Sequence, residues 1–519
     1  MKLRKITLIL LSVLLFAPLA CEEGLDVTNP NNPTPDIVEN EEGLKRLARG
    51  LYSTGWFLGT NGGAIEWLAL QWHEHMGDNL VAPWVNWSFA RTHLNVERIE
   101  FSDGTVVTPA ASSADGRTQP EWINFINSRE DPRGGVEIEW TSMYRLNNES
   151  NLILQTLNSE SGVEFSGDAQ AKERGFRAWA HFWKGFAYSR IGNFYELGII
   201  VDEYGETNND YKLPSEMLEE SNRQLEMALQ YVSNGIGAVI GDIQPGFFPT
   251  NITEASFAQN IHTLIARNKL NVKKRNELTQ AEWQEIKDIA ENGLMNNDGA
   301  VLVASDNATH LNTVTVKWRL AAGWSRASTR VVQAARHNDD ARGASFLDAT
   351  RGPFGSALFH NLNAPHGAVA PYGTTEEFAP IYLISAEENL LILAEAELAL
   401  GNPGAAASYI DQARQLQQAN LDPLGSATLE DLRRERRIGL FLRAQAFYDA
   451  RRFDELQNCV EGLWVWRQLE DGSIELDENA TICYGFLEYI PVPDRETTFN
   501  PIPADVMPTS SMQSAPGLN

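Results

Sequence analysis

Five of the 14 tryptophans in this 519-residue chain, Trp56, Trp67, Trp72, Trp84 and Trp87, fall between positions 56 and 87. Asn61, His73, Glu74, Asp78, Asn79, Asn86, Arg91 and His93 are interleaved with them. Indole faces match the C–H patches of a pyranose ring, and amide, carboxylate and guanidinium groups beside them match its hydroxyls. That mixture reads as a carbohydrate platform. A second group, Trp318, Trp324 and Arg326, offers the same chemistry further along. The candidate ligand-binding residues are therefore Trp56, Trp67, Trp72, His73, Asp78, Asn79, Trp84, Trp87, Trp324 and Arg326. An indole at helical spacing can equally belong to a core. Trp67 and Trp72 fit a helix over about 64–75 that would bury them, and Trp179 and Trp183 read as core.

Other chemistries find less support. His73-Glu74-His75 lacks the i, i+4 histidine spacing that puts two imidazoles on one helix face, so the reading assigns no metal. A glycosidase needs two carboxylates placed across a bond, and no local motif proposes such a pair. Gly62-Gly63 and Gly134-Gly135 lack the strand-then-helix setting of a phosphate loop, and no cofactor is called for. The chain carries 69 acidic against 42 basic residues, a net charge of −27. That excess argues against nucleic acid, whose nonspecific binding needs clustered Lys and Arg.

The elements that must hold these groups are mostly helical. Met143, Leu146, Ile153, Leu154 and Leu157 follow a 3–4 spacing, as do Phe176, Trp179, Phe182, Trp183 and Phe186. Thr253 can cap a helix carrying Phe257, Ile261 and Leu264. Thr279 with Glu282, and Ser385 with Glu388, predict capping boxes. From Ser385 to Gln417, two helices meet at Gly401-Asn402-Pro403, a pair of tetratricopeptide dimensions. Segments 138–195, 214–270 and 279–295 have similar proportions. The fold class is mainly α: a tetratricopeptide-like helical-repeat scaffold with long irregular loops over roughly 58–136, 296–380 and 455–519, and a few short strands and hairpins.

Residues 1–20 read as a signal peptide, with Lys2, Arg4 and Lys5 before an apolar run. Ala20-Cys21 resembles a bacterial lipobox, with Pro18 where a leucine is usual, so Cys21 is expected to carry lipid. Residues 21–40 then form a flexible tether, and 41–519 a single body with an N-terminal part to about 300 and a C-terminal part from about 301. Removing residues 1–20 takes the net charge to about −30. Cys459 and Cys483 remain, as a disulfide or as two buried thiols. Trp464-Val465-Trp466 and Ile474-Glu475-Leu476 about Asp471-Gly472 predict a β-hairpin between them.

Several pieces, in order, resemble the SusD/RagB family of outer-membrane lipoproteins. They are Asp78 after Glu74-His75-Met76-Gly77; Trp140, Tyr144 and Asn151; and Arg177-Ala178 with Gly192-Asn193-Phe194-Tyr195. Next come Glu388, Ala394-Glu395-Ala396 and Gly401-Asn402-Pro403; then Glu435-Arg436-Arg437 with Arg451-Arg452-Phe453. Last are Ile490-Pro491-Val492-Pro493, Glu496 and Asn500-Pro501. Arg443-Ala444 departs from the family's usual Glu-Gly. The resemblance implies a surface lipoprotein of the outer membrane that binds oligosaccharide or another nutrient. It further implies a role as lid over a SusC-type TonB-dependent transporter, with no catalysis. Capture of peptides, or a lipid-anchored glycoside hydrolase, are the alternative readings.

Overall fold

The computed structural model describes residues 40–56, 72–81, 96–108, 135–160, 162–244, 246, 248, 250–303, 326–342, 381–469, 471 and 473–506. Helix α1 (Glu41–Trp56) starts where the Asn40 side chain accepts from the Gly43 amide at 2.9 Å. Helices α2 (Gly135–Asn158) and α3 (Ala169–Phe194) follow, α3 capped by Asp168, which accepts from Ala171 N at 3.0 Å. From Phe176 onward α3 is buried almost all round, as befits a helix that is apolar on more than one face. Trp179 and Trp183 lie in its core, edge to face at 5.4 Å, as their spacing predicts.

Helix α4 (Pro214–Ser233) begins with proline at its first position and packs along α3. A Cβ at Gly192 would meet Met217 Cβ at 2.8 Å, so the two backbones approach this closely only with glycine there. After the short α5 (Val239–Ile243), α6 (Glu254–Asn271) is capped by Thr253 and α7 (Gln280–Ala290) by the Thr279–Glu282 box. Ser328 caps the short α8 (Thr329–Ala335).

Helices α9 (Ala386–Ala399) and α10 (Pro403–Leu416) form the expected pair, turning at Gly401 with φ +84°. One side of α9 packs Leu390, Leu391 and Ala394 against Ile410 and, from α11 (Leu429–Gly439), Leu432. Its other side packs Ile392, Leu393 and Ala396 against Trp283 and Ile286 of α7. The expected Ser385–Glu388 box is only half formed. Ser385 Oγ accepts from Glu388 N, but the Glu388 carboxylate turns to Arg267 of α6, with both contacts at 2.5 Å. Arg267 is buried, and an unpaired guanidinium there would be far costlier than an unfilled cap.

The region after α12 (Ala446–Arg452) is more regular than a long loop. Strands β9 (Cys459–Gln468) and β10 (Ile474–Tyr484) form the predicted hairpin, cross-linked by a Cys459–Cys483 disulfide at directly opposed positions. They continue a four-stranded antiparallel sheet, ordered β3-β2-β10-β9, with β2 (Val96–Glu100) and β3 (Val106–Val107). Among the described residues, three two-stranded pairs complete the strands. They join β1 (Leu80–Val81) to β7 (Arg326–Ala327), β4 (Gly198–Ile199) to β5 (Tyr211–Lys212), and β6 (Leu302–Val303) to β8 (Ile381–Tyr382). A last helix, α13 (Asp494–Phe499), lies near the C-terminus.

Glu388→Gln removes the charge that compensates buried Arg267. It should lower the unfolding free energy by about 3–5 kcal/mol, measured by guanidinium titration; a loss below about 1 kcal/mol would show that the pair is dispensable.

Candidate functional site

Trp72 to Met76 form one helical turn wedged into the molecule, with Trp72 and Met76 in the main core. His73 is fully buried between α2 and α3. Its Nε2 lies 2.9 Å from Glu139 Oε2 and 3.1 Å from Arg190 Nη2, and Arg190 Nε donates to Glu139 Oε1 at 2.6 Å. Burial pushes the imidazole down to about 4, so the ring is neutral near pH 7. Burial alone would raise Glu139, but Arg190 and His73, through charge and hydrogen bonds, together outweigh it and the carboxylate sits below its usual range. At Nε2 an accepting Glu139 and a donating Arg190 meet the same ring nitrogen.

Glu74 accepts from Asn79 Nδ2 at 2.7 Å and from the Ala444 amide at 3.2 Å. Burial pushes it up to about 7. Ala444 has φ +56°, a conformation that favours the glycine usual in the resembled motif. A Cβ on Gly77 would meet the Ala446 backbone carbon at 2.3 Å, so α12 crosses this turn in contact with bare backbone. Asp78, at φ +54°, accepts from the Tyr484 hydroxyl at 2.6 Å. Burial raises its carboxyl although Arg330 and Tyr484 act in the opposite sense.

The turn thus joins α2, α3, α12 and β10, and its role corrects the expectation for Trp72, His73 and Asn79. These residues face inward because each has apolar neighbours or a buried partner. Of Trp72, His73, Asp78 and Asn79, Asn79 lines the cleft described below. Trp56 and Arg326 lie within α1 and β7, but their side chains, and the whole of Trp67, Trp84, Trp87, Trp324 and Cys21, lie outside the described residues.

Asn79 leads directly into β1, and β1 pairs with β7 through Leu80↔Ala327 and Val81↔Arg326. Ser328, immediately after β7, clamps the junction: its Oγ donates to Asp78 O at 2.6 Å and its amide to Asn79 O at 2.9 Å. The strand pair therefore joins two distant parts of the chain. Trp84 follows Val81 by three positions, and Trp324 precedes Arg326 by two.

Beside this junction opens a cleft of about 490 Å³ between α8, α11, α12 and β9. Its walls include Arg330, Arg433, Arg434, Arg436 and Arg437 with Asp449 and Glu455. Glu455 binds three of the arginines: Arg330 at 2.9 Å, Arg437 at 3.5 Å, and Arg433. Burial would raise Glu455, yet those guanidinium groups, Arg330 foremost, hold it down to about 2. Arg437 Nη1 also donates to Asn79 Oδ1 at 2.5 Å, and Arg436 grips Asp449 through Nε and Nη2 at 2.8–3.1 Å. Sequence reasoning missed Arg330 and Arg433 entirely. A usable signal existed, since Arg433 and Arg437 are four apart on one helix and share a face. A wall of guanidinium groups and ionised carboxylates can bind hydroxyls and anions. Asp449 and Glu455 have no proton to give near neutral pH. Among the described residues, no group of three His, Cys, Asp or Glu could hold a metal.

Residues 374–507 match the model of the SusD family. Over that stretch the chain is similar to the SusD family. Solved structures with the same fold include a SusD-like carbohydrate binding protein from Bacteroides fragilis (12% identity, covering 90% of this chain and 99% of that one, TM-score 0.60). Another SusD-like carbohydrate binding protein, from Bacteroides vulgatus, matches at 14% identity, 89% and 97% coverage and a TM-score of 0.56. A SusD superfamily protein from Parabacteroides distasonis matches at 15% identity, 91% and 98% coverage and a TM-score of 0.56. No curated protein matches the chain.

The SusD-like motif residues have structural work in this chain. Glu395 holds Arg452 through two contacts at 2.9 and 3.0 Å, and Glu435 holds Arg342 and Arg414. Glu496 accepts from Trp140 Nε1 at 3.3 Å, while Ile490 N donates to Phe194 O at 2.9 Å, tying the closing stretch to α2 and α3.

Two outcomes test the buried turn. Trp72→Ala should lower stability by about 3–5 kcal/mol, as core truncations of this size do, in a denaturant titration. Glu74 ionises near 7 when folded against 4.5 for a free side chain, so between those values the folded state holds a proton that the unfolded state lacks. Its contribution to stability therefore falls as pH rises through that window, by on the order of 3 kcal/mol. Glu74→Gln should gain on the wild type by about that amount from pH 5 to pH 8. A pH-independent difference would contradict the assignment.

Proposed function

We propose that this protein is a lipid-anchored outer-membrane binding protein that captures oligosaccharides and delivers them, chemically unchanged, to a SusC-type TonB-dependent transporter. The SusD family is associated with the outer membrane, and structural relatives carry the description carbohydrate binding protein. Cys21 would hold the lipid, and residues 21–40 the tether. Among the described residues, no helix is long and apolar enough to cross a membrane.

The observation that carries the sugar reading is the β1·β7 pair beside the arginine-lined cleft. It brings the root of the segment bearing Trp84 and Trp87 against the root of the segment bearing Trp324. Stacking would supply affinity, and the cleft would supply orientation. Binding is favoured over hydrolysis because Glu455 and Asp449 are locked in ion pairs, whereas a glycosidase requires one carboxyl that stays protonated.

Calorimetry against panels of oligosaccharides and peptides tests the reading. A glycan should bind, and Trp84→Ala or Trp324→Ala should weaken it about tenfold, the effect of about 1.4 kcal/mol, with an unchanged melting temperature. Binding confined to peptides, or undiminished in both variants, would contradict it. The transporter partnership is tested by co-purification with an outer-membrane barrel.

A further inference from the structure

The protein as a whole repels anions, with a net charge of −27, yet its cleft gathers arginines. On the inner wall, Arg330, Arg433, Arg436 and Arg437 face two carboxylates among the described residues, Glu455 and Asp449. Arg434 is matched by Asp431, at 2.7 Å. Asp78 lies beneath this wall, turned to Tyr484, and burial favours its neutral form. His337 borders the cleft, and burial lowers it, so it adds no charge near neutral pH. The inner wall therefore keeps an uncompensated positive charge. Asp449 is also shared with Arg452, which removes more of its capacity to neutralise Arg436.

Two details suit the wall to an incoming acceptor. Arg436 is buried, and its Nη1 has no hydrogen-bond partner among the described residues, although Nε and Nη2 are both engaged. A buried guanidinium nitrogen left bare is costly unless a ligand completes it. Arg433 keeps 30% of its side chain exposed at the cleft while Glu455 anchors one end, so its planar fork is oriented before any ligand arrives. Phe453 stiffens it further, with the guanidinium 5.3 Å over the ring.

The outer rim has the opposite sign. Glu430 and Glu461 are exposed there, and Asp454 is neutralised by Lys274 at 2.6 Å. A densely charged polyanion would meet those carboxylates, whereas a single anionic group on an otherwise neutral chain can pass them and reach the arginines.

We propose that the cleft is an anion subsite for an acidic sugar, the carboxylate or sulfate substituent of a glycan seating against Arg433, Arg436 and Arg437. The proposal rests on the glycan-binding reading and adds to it the class of sugar. Guanidinium groups take both substituents through the same paired N–H contacts. Arg330 and Glu455 hold the wall in place and are positioning residues.

Calorimetry with the full mature protein compares galacturonic acid tetramer, its carboxyl-reduced neutral counterpart, the same neutral tetramer bearing one sulfate, and inorganic sulfate. The acidic or the sulfated tetramer should bind at least tenfold tighter than the neutral one, and the preference should shrink as salt rises. Whichever wins identifies the substituent. Arg433→Gln should abolish that preference, bringing the acidic or sulfated tetramer down to the affinity of the neutral one. Glu461→Gln, at the exposed rim, should strengthen anionic binding two- to threefold without touching the wall. Equal affinity for all tetramers, or a preference that survives Arg433→Gln, would overturn the anion subsite while leaving glycan binding intact. Arg433-dependent binding of sulfate alone, with no tetramer bound, would uphold the anion site and overturn the glycan reading.

Discussion

A buried arginine obliges a carboxylate, and much of this molecule follows from that rule. Removing a guanidinium from water is affordable only where an oppositely charged partner and further hydrogen bonds replace the lost hydration. The chain meets the requirement repeatedly and over long sequence separations. Arg267 meets Glu388 across 121 positions, Arg452 meets Glu395 across 57, and Arg342 meets Glu435 across 93. The first two pairs join helices, and the third ties the stretch after α8 to α11. The helical frame is therefore registered by charge as well as by its cores. The turn over 72–79 extends the same logic with His73, Glu139 and Arg190.

This rule also explains what could be read directly from the sequence. Helix starts were visible because caps are local: Thr253, Thr279 and Ser385 act within three residues. The hairpin about Asp471 was visible for the same reason, because strand alternation and turn chemistry are short-range. The Glu388 carboxylate went elsewhere because its competing partner, Arg267, is remote in sequence and closer in energy. The same holds at the site. Trp72, His73 and Asn79 have the composition of a ligand surface, but composition carries no direction. Their inward orientation comes from α2, α3 and α11, which contribute Glu139, Arg190 and Arg437 from 66 to 358 positions away. The arginine cleft was hidden for a related reason. Its walls come from four elements, and only the Arg433–Arg437 spacing is local.

The motifs that resemble the SusD family divide accordingly. Glu388, Glu395, Glu435, Arg451 and Arg452 are scaffold residues that hold helices in place, and Ile490 and Glu496 bind the closing stretch to α2 and α3. On the proposed reading, ligand recognition falls to the arginines of the cleft beside the β1·β7 pair.

The central claim is that ligand is held where the β1·β7 pair meets the arginine cleft. Hydrogen exchange read by mass spectrometry, with and without a bound oligosaccharide, tests this most directly. The account predicts slower exchange in peptides spanning 79–81, 326–337 and 433–437 when ligand is present, with the α9–α10 pair unchanged. Protection confined to other surfaces, with these three peptides exchanging as in the free protein, would contradict it.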